Sequence, residues 1–254
     1  MFFDSHAHLD DDRFDSDRDK VIKSLKKDGI DFYINVGADI KSSYRSIALA
    51  EKYDFIYAAA GVHPHDADSL KDSDMDVLKK MLEHEKVVAL GEIGLDYFYD
   101  NSPRDIQRKW FIRQLEIAKE TDMPTIVHCR DAMGECIEII KKSGVTKGVM
   151  HCFSGSGESA AELVNLGWYI SFSGSVTFKN AEKLKRAAAI VPMEKMFIET
   201  DSPYLSPEPM RGKRNTPSYV RYVAEKIAEI KELDVSEVAR ITKENAKRFF
   251  GIEE

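Results

Sequence analysis

Short apolar runs alternate with longer amphipathic stretches along the whole chain. The runs that read as strands lie at 1–8, 31–37, 55–63 and 86–94, then at 123–129, 147–155, 167–174 and 195–201. Most are apolar on both faces, as parallel strands buried between two layers are. Helical periodicity fills the gaps. Over 17–28 it places Val21, Ile22 and Leu25 on one face, and over 103–121 it does the same for Ile106, Trp110, Leu115 and Ala118. Ser102-Pro103 predicts the start of the second of these, with a capping hydroxyl followed by proline at the first helical position. Two further helices are expected near 216–231 and 234–250. Strict alternation implies parallel strands joined by crossover helices. Eight such units predict a closed (β/α)8 TIM barrel with an extra C-terminal helix; an open doubly wound sheet is the alternative. No linker or low-complexity segment interrupts the pattern, so 1–254 reads as a single domain. The stretch 202–217 reads as a loop after the last strand, where loops line the catalytic face of a barrel.

The polar residues at strand ends carry the chemistry. Of the seven histidines, His6, His8, His63, His65, His128 and His151 fall at or just beyond a predicted strand end. His84, in the charged context LEHEK, reads as a surface residue. Residues two apart on a strand share a face, so His6 and His8 can aim at one point. Glu92 follows VVALG, His128 follows PTIV, His151 follows KGVM and Asp201 follows MFIET. In a barrel these ends meet at one mouth. Four imidazoles and two carboxylates gathered there call for cations, because buried carboxylates need compensation. Two divalent ions fit such a set, with one carboxylate bridging them; Mg2+, Mn2+ and Zn2+ all suit the donors. Cys129 and Cys152 each follow a candidate ligand. If the histidines face inward, strand alternation turns these thiols toward the helices, as small buried apolar residues. Phe153, Trp168 and Phe172 read as core, although an aromatic at the mouth could stack on a base.

Composition narrows the setting. With 254 residues the chain has the size of one α/β barrel. It contains no apolar stretch long enough for a membrane helix, and its acidic, polar start does not resemble a secretory signal. Three cysteines without a CxxC spacing argue against a disulfide framework. A cytoplasmic protein with no membrane partner is therefore expected; the sequence does not set the oligomeric state, and a monomer is the default expectation. The net charge of −7 disfavours broad, non-specific nucleic-acid binding, but it leaves room for a local basic patch.

The motifs DSHAHLD (4–10), GVHPH (61–65), GEIGLDY (91–97), PTIVHCR (124–130), HCFSG (151–155), ETDSPYL (199–205) and RGKRNTP (211–217) resemble those of the TatD family of metal-dependent deoxyribonucleases, within the amidohydrolase-like superfamily. The likeness runs from residue 4 to NAKRFF near 245–250. It implies that His6, His8 and Asp201 hold one metal, His128 and His151 the other, and that Glu92 bridges them. It also implies that His63 and His65 sit near the substrate phosphate, with Arg211, Lys213, Arg214 and Asn215 in the loop that meets it. Asp201 and His63 are the candidate catalytic residues. His63, His65, Arg130, Arg211, Lys213 and Asn215 are the candidate substrate contacts, with Arg130 alternatively pairing with Asp131 or Glu135. The implied activity is hydrolysis of DNA phosphodiester bonds, with 3′-to-5′ exonuclease action on single strands or 3′ ends. Two other functions fit the residues: hydrolysis of a small amide or ester, and non-catalytic metal-dependent DNA binding.

Overall fold

In the computed structural model, which describes residues 1–253, eight parallel strands pair in strict chain order. They are β1 (Phe2–Ala7), β2 (Ile30–Val36), β3 (Ile56–Ala60), β4 (Val87–Asp96), β5 (Thr125–Arg130), β6 (Gly148–Met150), β7 (Tyr169–Phe172) and β8 (Met196–Ile198). The chain just beyond β8 closes the ring on β1. There Asp201 N–H donates to the His6 carbonyl at 2.9 Å and His8 N–H to that of Ser202 at 2.8 Å. This is the expected TIM barrel, and the open-sheet alternative is excluded.

Helices α1 (Arg18–Leu25), α2 (Ile40–Lys52), α3 (Asp72–Leu82), α4 (Arg104–Thr121), α5 (Met133–Ser143), α6 (Gly157–Asn165), α7 (Glu182–Ile190) and α8 (Val220–Lys231) follow the strands in order. Their apolar faces join the outward strand residues, such as Tyr33, Leu90, Val127 and Ile170, in one buried cluster. A second cluster fills the barrel itself with Phe3, Ile34, Val36, Ile126, Val149 and Phe197. The extra helix α9 (Val235–Phe250) closes that interior, contributing Ala246, Phe250 and the following Ile252. Its Asn245 amide donates to the carbonyls of Met193 and Met196, which fixes the helix beside the start of β8. Phe153, Trp168 and Phe172 are buried as expected. Among the described residues no helix is long and apolar enough to cross a membrane.

Three details depart from the pattern reading. β6 and β8 stop at Met150 and Ile198, several residues short of the apolar runs that predicted them. The remaining residues follow irregular backbone around the site and keep only single backbone hydrogen bonds to their neighbours, such as His151 N–H to the Val127 carbonyl and Glu199 N–H to that of Phe172. At the start of α4, Pro103 rather than Ser102 occupies the cap position, and no side chain caps the helix. The Ser102 hydroxyl instead accepts from Asp68 N–H at 3.1 Å and donates to the His65 carbonyl at 2.9 Å, bracing the turn that carries His65.

Candidate metal centre

The two carboxylate oxygens of Glu92 organise the site. Oε2 lies 3.3 Å from His6 Nε2 and 3.7 Å from His8 Nε2. Oε1 lies 2.7 Å from His151 Nε2, 3.0 Å from His128 Nδ1 and 3.5 Å from His63 Nε2. Asp201 Oδ1 joins the first group, 3.5 Å from His8 Nε2 and 3.9 Å from His6 Nε2. All six predicted ligands therefore meet, in two groups that share Glu92. They line one open cavity of about 750 Å3, except His6, which lies beneath it with no exposed surface.

Local breaks in strand regularity make this convergence possible. In β1 the Ser5 hydroxyl reaches Ser171 of β7 and Glu199 just beyond β8, yet the next residue, His6, also faces the centre. Simple alternation forbids that, and the pairing register of β1 with β2 shifts between Asp4 and Ala7. A second shift, between Leu90 and Ile93 of β4, surrounds Glu92. Gly94, with φ of 141°, lets β4 approach β5 so closely that a Cβ there would lie 2.0 Å from the His128 carbonyl oxygen. Asp201 itself has φ of 56°, a left-handed conformation that Asp tolerates better than most residues. Thr200 N–H donates to Asp4 Oδ1 at 2.9 Å, tying this segment to β1. Burial drives the Asp4 carboxyl up to about 8, only partly offset by the hydrogen bonds from Thr200.

Partners behind the ligands fix which imidazole nitrogen carries the proton. His8 Nδ1–H donates to the Val36 carbonyl at 2.8 Å. His128 Nε2–H donates to Asp96 at 3.0 Å, and His151 Nδ1–H to Glu199 at 3.2 Å. Each leaves the opposite nitrogen's lone pair facing the cluster, the arrangement of metal-ligating histidines. His6 differs, with a buried Nδ1 that has no hydrogen-bond partner. Its Nε2 lies only 3.1 Å from that of His8. Lone pairs crowded this closely around two carboxylates repel one another unless cations or protons sit between them. The donor set, imidazole nitrogens and carboxylate oxygens in a cup open to solvent, fits divalent cations.

The same crowding sets the ionisation of the metal-free chain. Burial disfavours the charged form of Glu92, but His151, His63, His6 and His128 outweigh it and hold the carboxyl well below its usual range. Burial also opposes charge on His8 and His128. Contact with Asp201 and Glu92 for His8, and with Asp96 and Glu92 for His128, pushes both up to about 9. Asp201 stays below the ordinary carboxylate range: burial raises it, and contact with His8 and the nearby His151 and His6 outweigh that. His63 is held well below the imidazole range, by burial first.

The remaining candidates divide. His63 lies against Glu92, and its Nδ1 accepts from His65 N–H at 3.1 Å. His65 Nε2–H donates to Asp96 Oδ2 at 2.9 Å. Arg130 also lines the cavity. Arg211, Lys213 and Asn215 do not, while Tyr204 and Leu205, earlier in the same 202–217 loop, do. The Arg211 guanidinium lies over the Phe178 ring and donates to the Ser206 carbonyl. Lys213 is exposed. Arg214 pairs with Asp17 at 2.7 Å. Asn215 is fully buried, and its amide donates to the carbonyls of Thr200 and Tyr204, so it shapes the loop that holds Asp201. Cys152 also departs from expectation. β6 ends before it, its φ is 42°, and it lines the cavity, with its N–H donating to Glu199 at 2.6 Å. Cys129 is buried as foreseen, although it too borders the cavity, and Cys136 is buried on α5. His84 is partly buried and sits 3.1 Å from Glu51.

Sequence reasoning missed Asp96 and Glu199. A usable signal existed, since both are acidic residues close in sequence to a ligand on the same strand end: Asp96 four after Glu92, Glu199 two before Asp201.

The family model described as TatD related DNase matches residues 3–251. Among curated relatives, the metal-dependent hydrolase YabD of Bacillus subtilis is 48% identical, the match covering 99% of this chain and 100% of that one. The metal-dependent hydrolase YcfH of Escherichia coli K12 is 40% identical over 98% of this chain and 96% of its own. Both carry the word uncharacterized in their names. Among solved structures, YJJV, a TatD homologue of Escherichia coli K12, superposes with a TM-score of 0.94 at 31% identity, covering 99% of this chain and 98% of its own. A TatD family hydrolase of Entamoeba histolytica gives 0.88 at 25% identity, covering 98% of this chain and 97% of its own. With a family match over nearly its whole length and a 48% identical relative, the chain belongs to the TatD family of metal-dependent hydrolases.

Proposed function

We propose that the reaction is hydrolysis of a phosphodiester bond in DNA, served by two divalent cations. The observation that carries this reading is the sharing of Glu92: one oxygen faces His6 and His8, the other faces His128 and His151. His6, His8, Asp201 and Glu92 would hold one ion, and His128, His151 and Glu92 the other. Ions so placed would acidify water and neutralise charge on a phosphoryl oxygen.

The side chains do the rest. Asp201, deprotonated at neutral pH, is positioned to accept the proton of the attacking water. His63 is neutral, and because its Nδ1 accepts from His65 N–H, its proton sits on Nε2. That N–H faces the cluster and can donate to the leaving oxygen. His65 and His128 share the Asp96 carboxylate, which keeps both rings oriented.

The test is time-resolved product analysis on single-stranded DNA labelled at one end, with Mg2+, Mn2+ or Zn2+, beside a panel of amides and carboxylic esters. Progressive release of nucleotides supports the proposal. Turnover of an amide or ester with no nucleotide released would replace it. Tight DNA binding without cleavage in every metal would point to a non-catalytic role.

A further inference from the structure

Two cationic side chains line the cavity, Arg45 and Arg130. Arg45 is committed, 3.3 Å from Asp10 and 3.8 Å from Asp12. Arg130, the last residue of β5, is different. Its guanidinium carbon lies 4.0 Å from the centre of the Phe98 ring and 4.8 Å from that of Tyr99. Stacking on a ring face holds a guanidinium in place without using its in-plane N–H donors. No ion pair or side-chain hydrogen bond occupies those donors among the described residues. Glu135, a partner the sequence allowed, is taken by the Tyr97 hydroxyl at 2.7 Å and lies 3.5 Å from Arg108.

The brace is itself anchored. Phe98 and Tyr99 are 56% and 55% exposed, which is unusual for rings of this size. Their backbone N–H groups donate to Asp96 Oδ1 at 3.0 and 2.9 Å. The other oxygen of Asp96 holds His65 and His128. One carboxylate thus sets the distance between a ligand imidazole and the platform under Arg130. The neighbouring walls carry Asp10, Asp11, Asp39 and Asp66, which would repel an anionic chain. Away from the metal ligands, Arg130 offers the cavity's one uncommitted positive charge among the described residues.

We propose that Arg130, braced by Phe98 and Tyr99, anchors a second phosphate of the substrate strand, next to the scissile one. The inference rests on the diesterase reading above and adds to it a substrate class: a chain bearing a flanking phosphate rather than an isolated diester. A planar fork suits two phosphate oxygens at once. Pre-orientation by the rings reduces the ordering cost of the contact.

The test compares short oligonucleotides that carry either a normal phosphate or an uncharged methylphosphonate beside the scissile bond. For the wild-type chain the methylphosphonate should raise KM by about tenfold, the scale of one charge-assisted contact. In Arg130→Met the same replacement should change KM less than about twofold, because the partner is already gone. Phe98→Leu, which removes the brace and keeps the charge, should show an intermediate penalty. Equal penalties in wild type and Arg130→Met overturn the inference alone. No cleavage of either oligonucleotide by the wild-type chain overturns the diesterase reading, and this inference with it.

Discussion

Asp96→Asn tests the orientation of the metal centre without removing a ligand. The side chain is 1% exposed, and its carboxylate receives four N–H groups. Oδ2 accepts from His65 Nε2 at 2.9 Å and His128 Nε2 at 3.0 Å, while Oδ1 accepts from the backbone of Phe98 and Tyr99. These contacts, acting against burial, hold the carboxyl far below the usual range. An asparagine offers one acceptor oxygen, and its NH2 would meet either two imidazole N–H groups or two backbone ones. At least one hydrogen bond to a charged acceptor is lost, worth about 1.5–3 kcal/mol. At about 1.4 kcal/mol per tenfold, that is one to two orders of magnitude in affinity, the range seen for outer partners of ligating histidines. His128 should turn from Glu92, so the loss falls on the ion at Oε1, while the His6–His8 group keeps its own. The assay is metal content after dialysis against graded chelator, with a circular dichroism melt to establish folding. One equivalent should leave at about ten- to hundredfold lower chelator than in wild type. A folded variant that retains both equivalents like wild type would refute the claim that Asp96 orients His128.

Four further outcomes are expected. Glu92→Ala should lose both ions and all turnover, and wild-type-like turnover with intact metal content would remove the bridge from the account. Asp201→Asn should bind DNA within a few-fold of wild type yet turn over at least about a hundredfold more slowly; normal kcat would assign the proton to another group. Metal affinity, measured by competition titration, should climb between about pH 6.5 and 9. In the metal-free chain His8 and His128 titrate at about 9, above the ordinary imidazole value, so their protons stabilise that form below about pH 6.5. That contribution is lost as pH rises through about 9, and because ions compete for the same nitrogens, a flat affinity across the window contradicts the ionisation scheme. Gly94→Ala should destabilise the fold by about 2 kcal/mol or more, because it combines backbone strain with a clash on the His128 carbonyl; an unchanged denaturation midpoint would show that the strands can move apart.

The barrel was legible because strand and helix periodicities differ and alternate without interruption, and closure followed from counting eight units. The cluster was legible because barrel strand ends converge, so gathering His6, Glu92 and Asp201 needed no knowledge of distance. The places where sequence reasoning failed share a cause. Period-two alternation holds only inside a regular strand, and the site is built from register shifts and left-handed residues. Cys152 was expected to face the helices, but β6 ends two residues earlier and the backbone turns over. Arg211, Lys213 and Arg214 form a basic cluster in sequence, yet Arg211 stacks on Phe178, Arg214 pairs with Asp17, and the neighbouring Asn215 donates to backbone carbonyls. Phe98 and Tyr99 gave no signal, since exposed aromatics and core aromatics look alike in a sequence without a clear period.

The central claim is that six side chains, distant along the chain, hold two cations that share Glu92. Anomalous diffraction from crystals grown with Mn2+ or Zn2+ tests it most directly. Two peaks are predicted, one among His6, His8 and Asp201 and one between His128 and His151, each in contact with a different oxygen of Glu92. Absence of density in this cup from metal-loaded crystals, or a Glu92 carboxylate turned away from both peaks, would contradict the account.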